Sequence, residues 1–563
     1  MAQRRAPRAR SRRCTAAVLS AFGLALASAC AADPGPPPLI EPEERTAAPE
    51  STSSEETTTS AEEQPSGRRQ VQVALDPVRA GFNPHLAGDE SAVVQGIADL
   101  VLPSAVRADG TTDPTLFEGV SQLALSPAAF TVRYVIKPEA QWSDGTPITG
   151  ADFTYLWRGM TTTAGAIEPA GYRAIADIRV SGQGGKVVDV DFAQPFPQWR
   201  LLFRHLLPSH LLAPDAGDFA YALRNTVPAS AGRYQVRSVD RPHGTVTLHR
   251  NDRYWGDDPA TIDVITLVTA RETTQIADQL RSRQLAFADL APQDSTTDVL
   301  GLVPGLETRT YTGPRTLGAT ISATSGLDAE ARSEVRSLID VPALAHIAAR
   351  RSADLDVATP APISTPATTA ATGAPELATL RALAAKGKTL RIAADAADPA
   401  ASAAAKSLVD MLNRSGVAAR VLSNDVPAIA GRGLPDGDVD VLVGWRLESG
   451  TAASLAGRIA CPPDAARAGN LSGYCTAANN ALASSILAGD IPQAQAQALV
   501  DDVEQQQALW VPVLHETRVA ASTGVVTAAG APPGAWPGGL SSAATWRMGD
   551  TVGRRTPISE EDL

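Results

Sequence analysis

The sequence predicts an α/β protein with at least two lobes, each built on its own hydrophobic core. The chain has 563 residues, well beyond the size at which a single core stops growing. Hydrophobic residues make up 44% of it and charged residues 20%, as in ordinary soluble globular proteins. Strand and helix patterns alternate from Leu390 onward, with strand-like runs at 390–394, 419–423 and 440–445 and an alanine-rich helix at 401–415. This alternation is typical of an α/β lobe.

The N-terminus predicts export. Several arginines precede a weakly apolar stretch at 15–29, which is the arrangement of a signal peptide. The stretch is shorter than the roughly 20 residues that a permanent membrane helix needs. It runs through small residues into Cys30 and resembles a bacterial lipobox, with Ala27 where leucine is usual. We expect residues 1–29 to be a removed signal peptide, Cys30 to be lipidated, and the protein to lie on the extracytoplasmic face of the cell membrane. The alternative is ordinary cleavage that leaves Cys30 as a free thiol.

Two cysteines remain in the mature chain, because Cys14 leaves with the signal peptide and Cys30 is expected to carry acyl chains. An even pair in an oxidising compartment predicts a disulfide between Cys461 and Cys475. A cysteine-based metal site is not expected, since no second pair is present and the seven histidines are scattered.

Residues 30–68 predict a flexible acidic tether, because they are mostly Pro, Glu, Ser and Thr with almost nothing apolar. Such a tether lets a folded body stand away from the membrane surface. The net charge of −12 disfavours attraction to phosphate backbones, so no nucleic-acid partner is expected.

Alternating and helical patterns locate the elements of the folded part. Strands are predicted at 70–75, 130–136, 186–192, 234–239, 245–250 and 264–267. Helices are predicted at 151–160, 273–282, 329–340 and 401–415. Asp152 lies near the start of the first of these helices, where its carboxylate complements exposed backbone N–H groups.

Four segments carry a resemblance to a known family. The longest is AGRYQVRSVDRPHGTVTLHRNDRYWG, which begins at Ala231. The others are WSDGTPIT followed by GADF at 142–153, EVRSLIDVPALAHIA from Glu334, and DVLVGW at 440–445. Together they resemble the large extracellular solute-binding proteins of ABC transporters, which carry oligopeptides, dipeptides, nickel chelates or sugars. One departure is Val341, where the family has arginine.

The resemblance implies a two-lobed, periplasmic-binding-protein-like fold of the large type II class, with an extra subdomain in the first lobe. The implied division is a first lobe at 69–313 with an inserted subdomain at about 98–185, a second lobe at 314–514, a return to the first lobe at 515–548, and a flexible tail at 549–563.

The resemblance also points to ligand-binding residues. In peptide-binding relatives a Gly-Trp pair ends the strand that corresponds to 440–445, and an acidic residue three positions after the tryptophan binds the amino terminus of the ligand. The matching residues here are Trp445 and Glu448, and His515 is a third candidate. The alternatives are a core aromatic for Trp445, a solvated loop acid for Glu448 and a structural histidine for His515.

No catalytic fingerprint is found in the sequence, neither GxSxG, HExxH, a Walker loop nor a dinucleotide motif, so we expect neither an enzyme nor a cofactor. The resemblance implies a monomer that captures a peptide or similar small solute by hinge closure and delivers it to ABC permease subunits. The alternative is an actinobacterial branch of the same fold, which does not serve transport and regulates the synthesis of phosphatidylinositol mannoside and lipoarabinomannan.

Overall fold

The computed structural model describes residues 68–107, 110–123, 128, 130–212, 219–359, 377–461, 467–528 and 539–549. These residues belong to one compact unit that spans Pro65–Leu563. The predicted signal peptide, the predicted lipidation site Cys30, the predicted tether as far as residue 67 and the predicted tail from residue 550 lie outside the described residues.

Sixteen strands are found among the described residues. They are β1 (Gln70–Leu75), β2 (Phe117–Gln122), β3 (Phe130–Ile136), β4 (Ile175–Ser181), β5 (Val187–Phe192), β6 (Tyr234–Asp240), β7 (Thr245–Arg250), β8 (Val264–Thr269), β9 (Leu285–Leu290), β10 (Glu307–Ile321), β11 (Leu390–Asp395), β12 (Ala419–Asn424), β13 (Val441–Leu447), β14 (Trp510–Ser522), β15 (Val526–Ala528) and β16 (Trp546–Met548). Every strand that the sequence predicts is present.

Fourteen α-helices lie in the same part of the chain. They are α1 (Ala92–Val101), α2 (Gly150–Thr162), α3 (Ala170–Arg173), α4 (Ser209–Leu212), α5 (Thr273–Arg281), α6 (Thr296–Gly301), α7 (Ala329–Ser337), α8 (Val341–Ala349), α9 (Ala378–Ala385), α10 (Pro399–Arg414), α11 (Val426–Ala428), α12 (Ala452–Ile459), α13 (Ala477–Ala488) and α14 (Gln493–Gln506).

A ten-stranded mixed sheet runs through the protein in the order β12-β11-β13-β10-β14-β9-β1-β8-β7-β6. The long antiparallel strands β10 and β14 lie at its centre and pair with each other along most of their length. A separate four-stranded antiparallel sheet has the order β2-β3-β5-β4. The α/β fold class predicted from the sequence is confirmed.

Two large apolar cores lie on either side of the central pair of strands. The first core combines β1 and β8 with α1 and the four-stranded sheet. The second packs β10, β11 and β13 against α7, α8 and α10. We call the part built on β1–β9 the first lobe, and the part built on β11–β13 with the surrounding helices α7–α14 the second lobe. Helices α12, α13 and α14 direct buried apolar side chains into the first core, so the lobes are in contact along these helices.

Local sequence explains where α2 begins. Thr149 and Asp152 form a capping box, in which the Asp152 carboxylate accepts a hydrogen bond from Thr149 N at 2.9 Å. The other carboxylate oxygen accepts from Ser209 N at 3.0 Å and from Ser209 Oγ at 2.7 Å, so this end of the helix is also joined to α4. The prediction for Asp152 is confirmed.

The helix predicted at 329–340 is too long. Helix α7 ends at Ser337, and a second helix, α8, starts at Val341. Asp340 caps α8 by accepting a hydrogen bond from Ala343 N at 3.1 Å, and Pro342 occupies its first turn. A capping aspartate followed by proline starts a new helix, because proline tolerates the first turn but not the helix interior.

Candidate functional site

A cleft between the two lobes consists of two adjoining cavities. The larger has about 860 Å³ of empty space and the smaller about 640 Å³, partly open to solvent. Both cavities touch Ala87 of the first lobe, and both touch Leu442, Gly444 and Trp445 of β13. Strand β13 therefore forms a wall that the two cavities share. The first lobe closes the larger cavity with residues 165–168 and the smaller one with residues 88–91.

Trp445 is the predicted site residue that lines this cleft. Its strand pairs with β10 so that Trp445 lies opposite Leu317. The guanidinium of Arg315 lies 5.1 Å from the centroid of the indole ring, within cation–π range. The indole Nε1 is buried and has no hydrogen-bond partner among the described residues. A buried donor without a partner is costly, so a ligand acceptor at this atom would stabilise the closed cleft.

A buried group of charges lines the larger cavity next to Trp445. Glu504 of α14 pairs with Arg446 Nη1 at 2.9 Å and with Arg458 Nε at 3.1 Å. Burial opposes ionisation of Glu504, but the two guanidinium groups outweigh it and lower its pKa. Arg446 also stacks on Trp510, with its guanidinium carbon 4.0 Å from the ring centroid. Its Nε is buried and lacks a partner within the described residues.

Glu448 lies outside the described lining of both cavities. One of its carboxylate oxygens accepts a hydrogen bond from Thr316 Oγ1 at 2.9 Å, and the other accepts from Arg446 Nη2 at 2.9 Å. Both oxygens are therefore engaged by residues of the paired strands β10 and β13. The ammonium-binding role that the resemblance implies would require this carboxylate to exchange its partners.

His515 also lies outside the described lining of the two cavities. Its Nδ1 is 2.9 Å from Thr316 Oγ1. The structure thus brings His515 and Glu448 together through a single threonine of β10, while Trp445 borders the cleft itself.

Sequence reasoning missed Glu168. It lies between α2 and α3 with a positive φ of 51°, lines the larger cavity, and contacts Ser449 Oγ of the opposite lobe. Burial raises the pKa of its carboxyl group. No motif marks this residue, because its position depends on how α2 and α3 meet the second lobe.

Polar contacts join the two lobes. Arg79 of the first lobe pairs with Asp398, the capping residue of α10, at 2.8 Å. Ala452 N, at the start of α12, donates to Gln198 Oε1 at 2.8 Å. Arg79 and Asp398 both line the smaller cavity. Among the described residues no group of three or more His, Cys, Asp or Glu side chains could hold a metal ion.

Comparison with known proteins agrees with this architecture. Residues 114–453 match the family described as bacterial extracellular solute-binding proteins, family 5 Middle. The chain belongs to family 5 of the bacterial extracellular solute-binding proteins. Extracellular solute binding is therefore its general function. In the part of the chain that the structure describes, no helix combines the length and apolar character needed to cross a membrane.

Two curated relatives are from mycobacteria. The chain is 34% identical over 459 residues to the probable monoacyl phosphatidylinositol tetramannoside-binding protein LpqW of Mycobacterium tuberculosis, covering 71% of this chain and 72% of LpqW. It is 28% identical over 292 residues to the oligopeptide-binding protein OppA of Mycobacterium bovis, covering 49% of this chain and 48% of OppA.

Among solved family 5 folds, the oligopeptide-binding protein AppA of Bacillus subtilis in complex with a nonapeptide has a TM-score of 0.63 at 11% identity. The match covers 85% of this chain and 99% of AppA. This likeness establishes the two-lobed type II fold.

Proposed function

We propose that this protein is an exported, lipid-anchored binding protein that closes its two lobes around the polar headgroup of a cell-envelope glycolipid. It binds this ligand without transforming it. The observation that carries the proposal is the interlobe cleft at Trp445, which is lined from both lobes. Lipidation at Cys30 would keep the protein at the membrane surface where such glycolipids lie.

The hydrogen-bonding groups of the cleft favour a ligand rich in acceptors. Trp445 Nε1 and Arg446 Nε are buried donors without partners among the described residues. The carboxylate of Glu448, by contrast, is already satisfied by Thr316 and Arg446. Sugar hydroxyls and phosphates supply many acceptors, whereas a peptide ammonium would have to pair with Glu168, whose carboxyl already contacts Ser449 and has its pKa raised by burial. The name of LpqW, the relative that is 34% identical, describes binding of a mannosylated phosphatidylinositol and supports the same ligand class.

Delivery of a peptide or similar solute to an ABC importer is the second candidate function. The 28% identity with OppA over about half of each chain favours it. In that role the closed protein would dock on permease subunits, and ATP hydrolysis would belong to partner subunits.

Direct binding measurements separate the two candidates. The deacylated headgroup of a phosphatidylinositol tetramannoside and a mixture of tri- to pentapeptides would each be titrated calorimetrically into the purified protein. We expect heat of binding with the headgroup and none with the peptides. Peptide binding alone would overturn the glycolipid proposal, and no binding of either probe would count against both.

Trp445→Ala is expected to weaken headgroup binding roughly 10- to 100-fold, the usual loss when an aromatic side chain that the ligand covers is truncated. The thermal midpoint should stay close to that of the parent protein, because Trp445 is only half-buried. Trp255→Ala is the matched control, since Trp255 lies beyond β7 and outside the described lining of the cleft. Unchanged affinity in Trp445→Ala, or equal losses in both variants, would contradict the site assignment.

Cys30→Ala is expected to move the protein from the membrane pellet to the soluble fraction. Acyl chains stabilise membrane attachment by about 0.8 kcal/mol for each buried CH₂, so their loss should be decisive. Cell fractionation followed by immunoblotting measures the distribution. Cys14→Ala serves as the control and should leave the protein in the pellet. If Cys30→Ala still sediments with membranes, the lipid anchor at Cys30 is ruled out.

A further inference from the structure

The described part of the loop bounded by the disulfide, residues 467–475, lies against the opposite lobe. Cys461 and Cys475 form the disulfide that the sequence predicts. We propose that residues 467–475, which we call the latch segment, hold the two lobes closed, and that the Cys461–Cys475 disulfide keeps this segment in its closing position. The proposal adds a conformational device to the proposed ligand-binding function and rests on that function only where ligand affinity is concerned.

The latch segment reaches the first lobe through its backbone. Gly165 N donates a hydrogen bond to the carbonyl of Arg467 at 2.8 Å. Arg173 Nη1 donates to the carbonyl of Ala468 at 3.3 Å. Because both acceptors are main-chain carbonyls, these contacts depend on where the segment lies rather than on which side chains it carries.

Gly469 lies where the segment packs against Pro169 of the first lobe. A Cβ atom at this position would lie 3.2 Å from side-chain carbons of Pro169 and 2.9 Å from the carbonyl of Gly457. Gly469 also has a φ of +79°, which glycine adopts without strain. Its lack of a side chain therefore permits the lobes to meet at this point.

The segment is fixed to the second lobe on both sides. Arg467 N donates to the carbonyl of Ala430 at 2.9 Å, and Ala323 N, just beyond β10, donates to the carbonyl of Ser472 at 2.8 Å. Gly469, Leu471 and Ser472 also line the larger cavity. The same short segment thus connects the chain just beyond β10, the ligand cleft and the first lobe.

Asn470 shows how the disulfide organises the segment. Its buried amide Nδ2 donates to the carbonyl of Ala460 at 3.1 Å and to the carbonyl of Tyr474 at 2.9 Å. Ala460 and Tyr474 are the residues that precede the two cysteines. The disulfide holds these carbonyls close enough for one amide to bridge them. When the bond is broken the two chain ends can separate, and the bridge that positions Arg467 and Ala468 is lost.

Hydrogen exchange tests the latch without any ligand. Full-length protein would be compared before and after treatment with dithiothreitol, whose two thiols give two electrons and two protons to the disulfide and become a disulfide themselves. We expect exchange at the Gly165 amide to become about tenfold faster after reduction, as the loss of one or two hydrogen bonds implies. The amides of β11 should not change. Small-angle scattering should report a larger radius of gyration.

Two variants separate the latch from general effects of the reductant. Cys461→Ser combined with Cys475→Ser should exchange rapidly at Gly165 with or without dithiothreitol. Gly469→Ala should do the same with its disulfide intact, because the added methyl group meets Pro169. Gly416→Ala is the matched control, since Gly416 has a φ of +81° and no atom within 4 Å of an added Cβ. Unchanged exchange at Gly165 in the reduced protein and in Gly469→Ala would overturn the latch.

Ligand affinity is the second readout. If the deacylated tetramannoside headgroup binds, its affinity should fall about tenfold in Gly469→Ala and stay at the parent value in Gly416→Ala. An unchanged affinity in Gly469→Ala would overturn the role of the latch in holding ligand. If the headgroup does not bind at all, the ligand proposal fails, while the exchange measurement still decides whether the latch exists.

Discussion

Arg518→Ala is expected to lower the free energy of unfolding by roughly 3–5 kcal/mol, the cost of removing one partner from a buried ion-pair network. Arg518 is 2% exposed and lies on β14 at the centre of the sheet. Its Nε pairs with Asp289 at 2.8 Å and its Nη1 with Asp76 at 2.9 Å. One guanidinium thus joins β14 to β9 and to the end of β1.

The size of this effect follows from what the substitution leaves behind. Burial opposes the charge on Arg518, but Asp289, Asp76 and Glu516 outweigh it and raise its pKa well above the usual value. Burial raises the pKa of Asp289 even with Arg518 in place. Without the guanidinium, Asp289 would retain only the hydroxyl of Tyr311 as a side-chain donor among the described residues. A buried carboxylate in that situation is strongly destabilising.

Equilibrium unfolding in urea measures this effect. Arg381→Ala is the matched control, because Arg381 is exposed on α9, and its loss should change stability by less than about 0.5 kcal/mol. Arg518→Lys should recover only part of the stability, since an ammonium cannot reproduce the planar fork of a guanidinium. Equal stabilities for Arg518→Ala and Arg381→Ala would show that the network contributes nothing.

The sequence predicted elements where a strong local pattern marks them. The capping box at Thr149 and Asp152 marks the start of α2, and alternation of apolar residues marks β1. The break between α7 and α8 was missed because the apolar pattern continues across it. The signal was nevertheless present, since Asp340 followed by Pro342 is a helix start.

The cleft was predictable only in part. Trp445 was found because its strand carries a segment that resembles the family. Glu168 and Glu504 lie far away in the sequence, and they reach the same cavity only through the packing of α3, α12 and α14. Glu448 forms hydrogen bonds with Thr316 and Arg446 only because β10 pairs with β13 in a register that sets these two residues opposite each other. Such pairings between distant segments cannot be inferred from one sequence without an alignment.

Glu504→Gln is expected to destabilise the protein by about 2–4 kcal/mol at pH 7, because Arg446 and Arg458 then share a neutral amide in place of a carboxylate. The effect should depend on pH in a defined direction. Glu504 has a lowered pKa in the folded protein, whereas an unfolded glutamate titrates near roughly pH 4.3. Between these two values the unfolded chain binds more protons, so stability falls as the pH falls.

The contribution of Glu504 is therefore fully present above about pH 4.3 and is lost as the pH drops through the lower folded-state pKa. The Gln variant lacks this titration and should approach the parent protein in stability under acid conditions. Urea unfolding from pH 7 to pH 3 measures the difference, with Glu330→Gln on the exposed side of α7 as the matched control. A gap between Glu504→Gln and the parent that stays constant across this range would mean that the two arginines do not lower the pKa of Glu504.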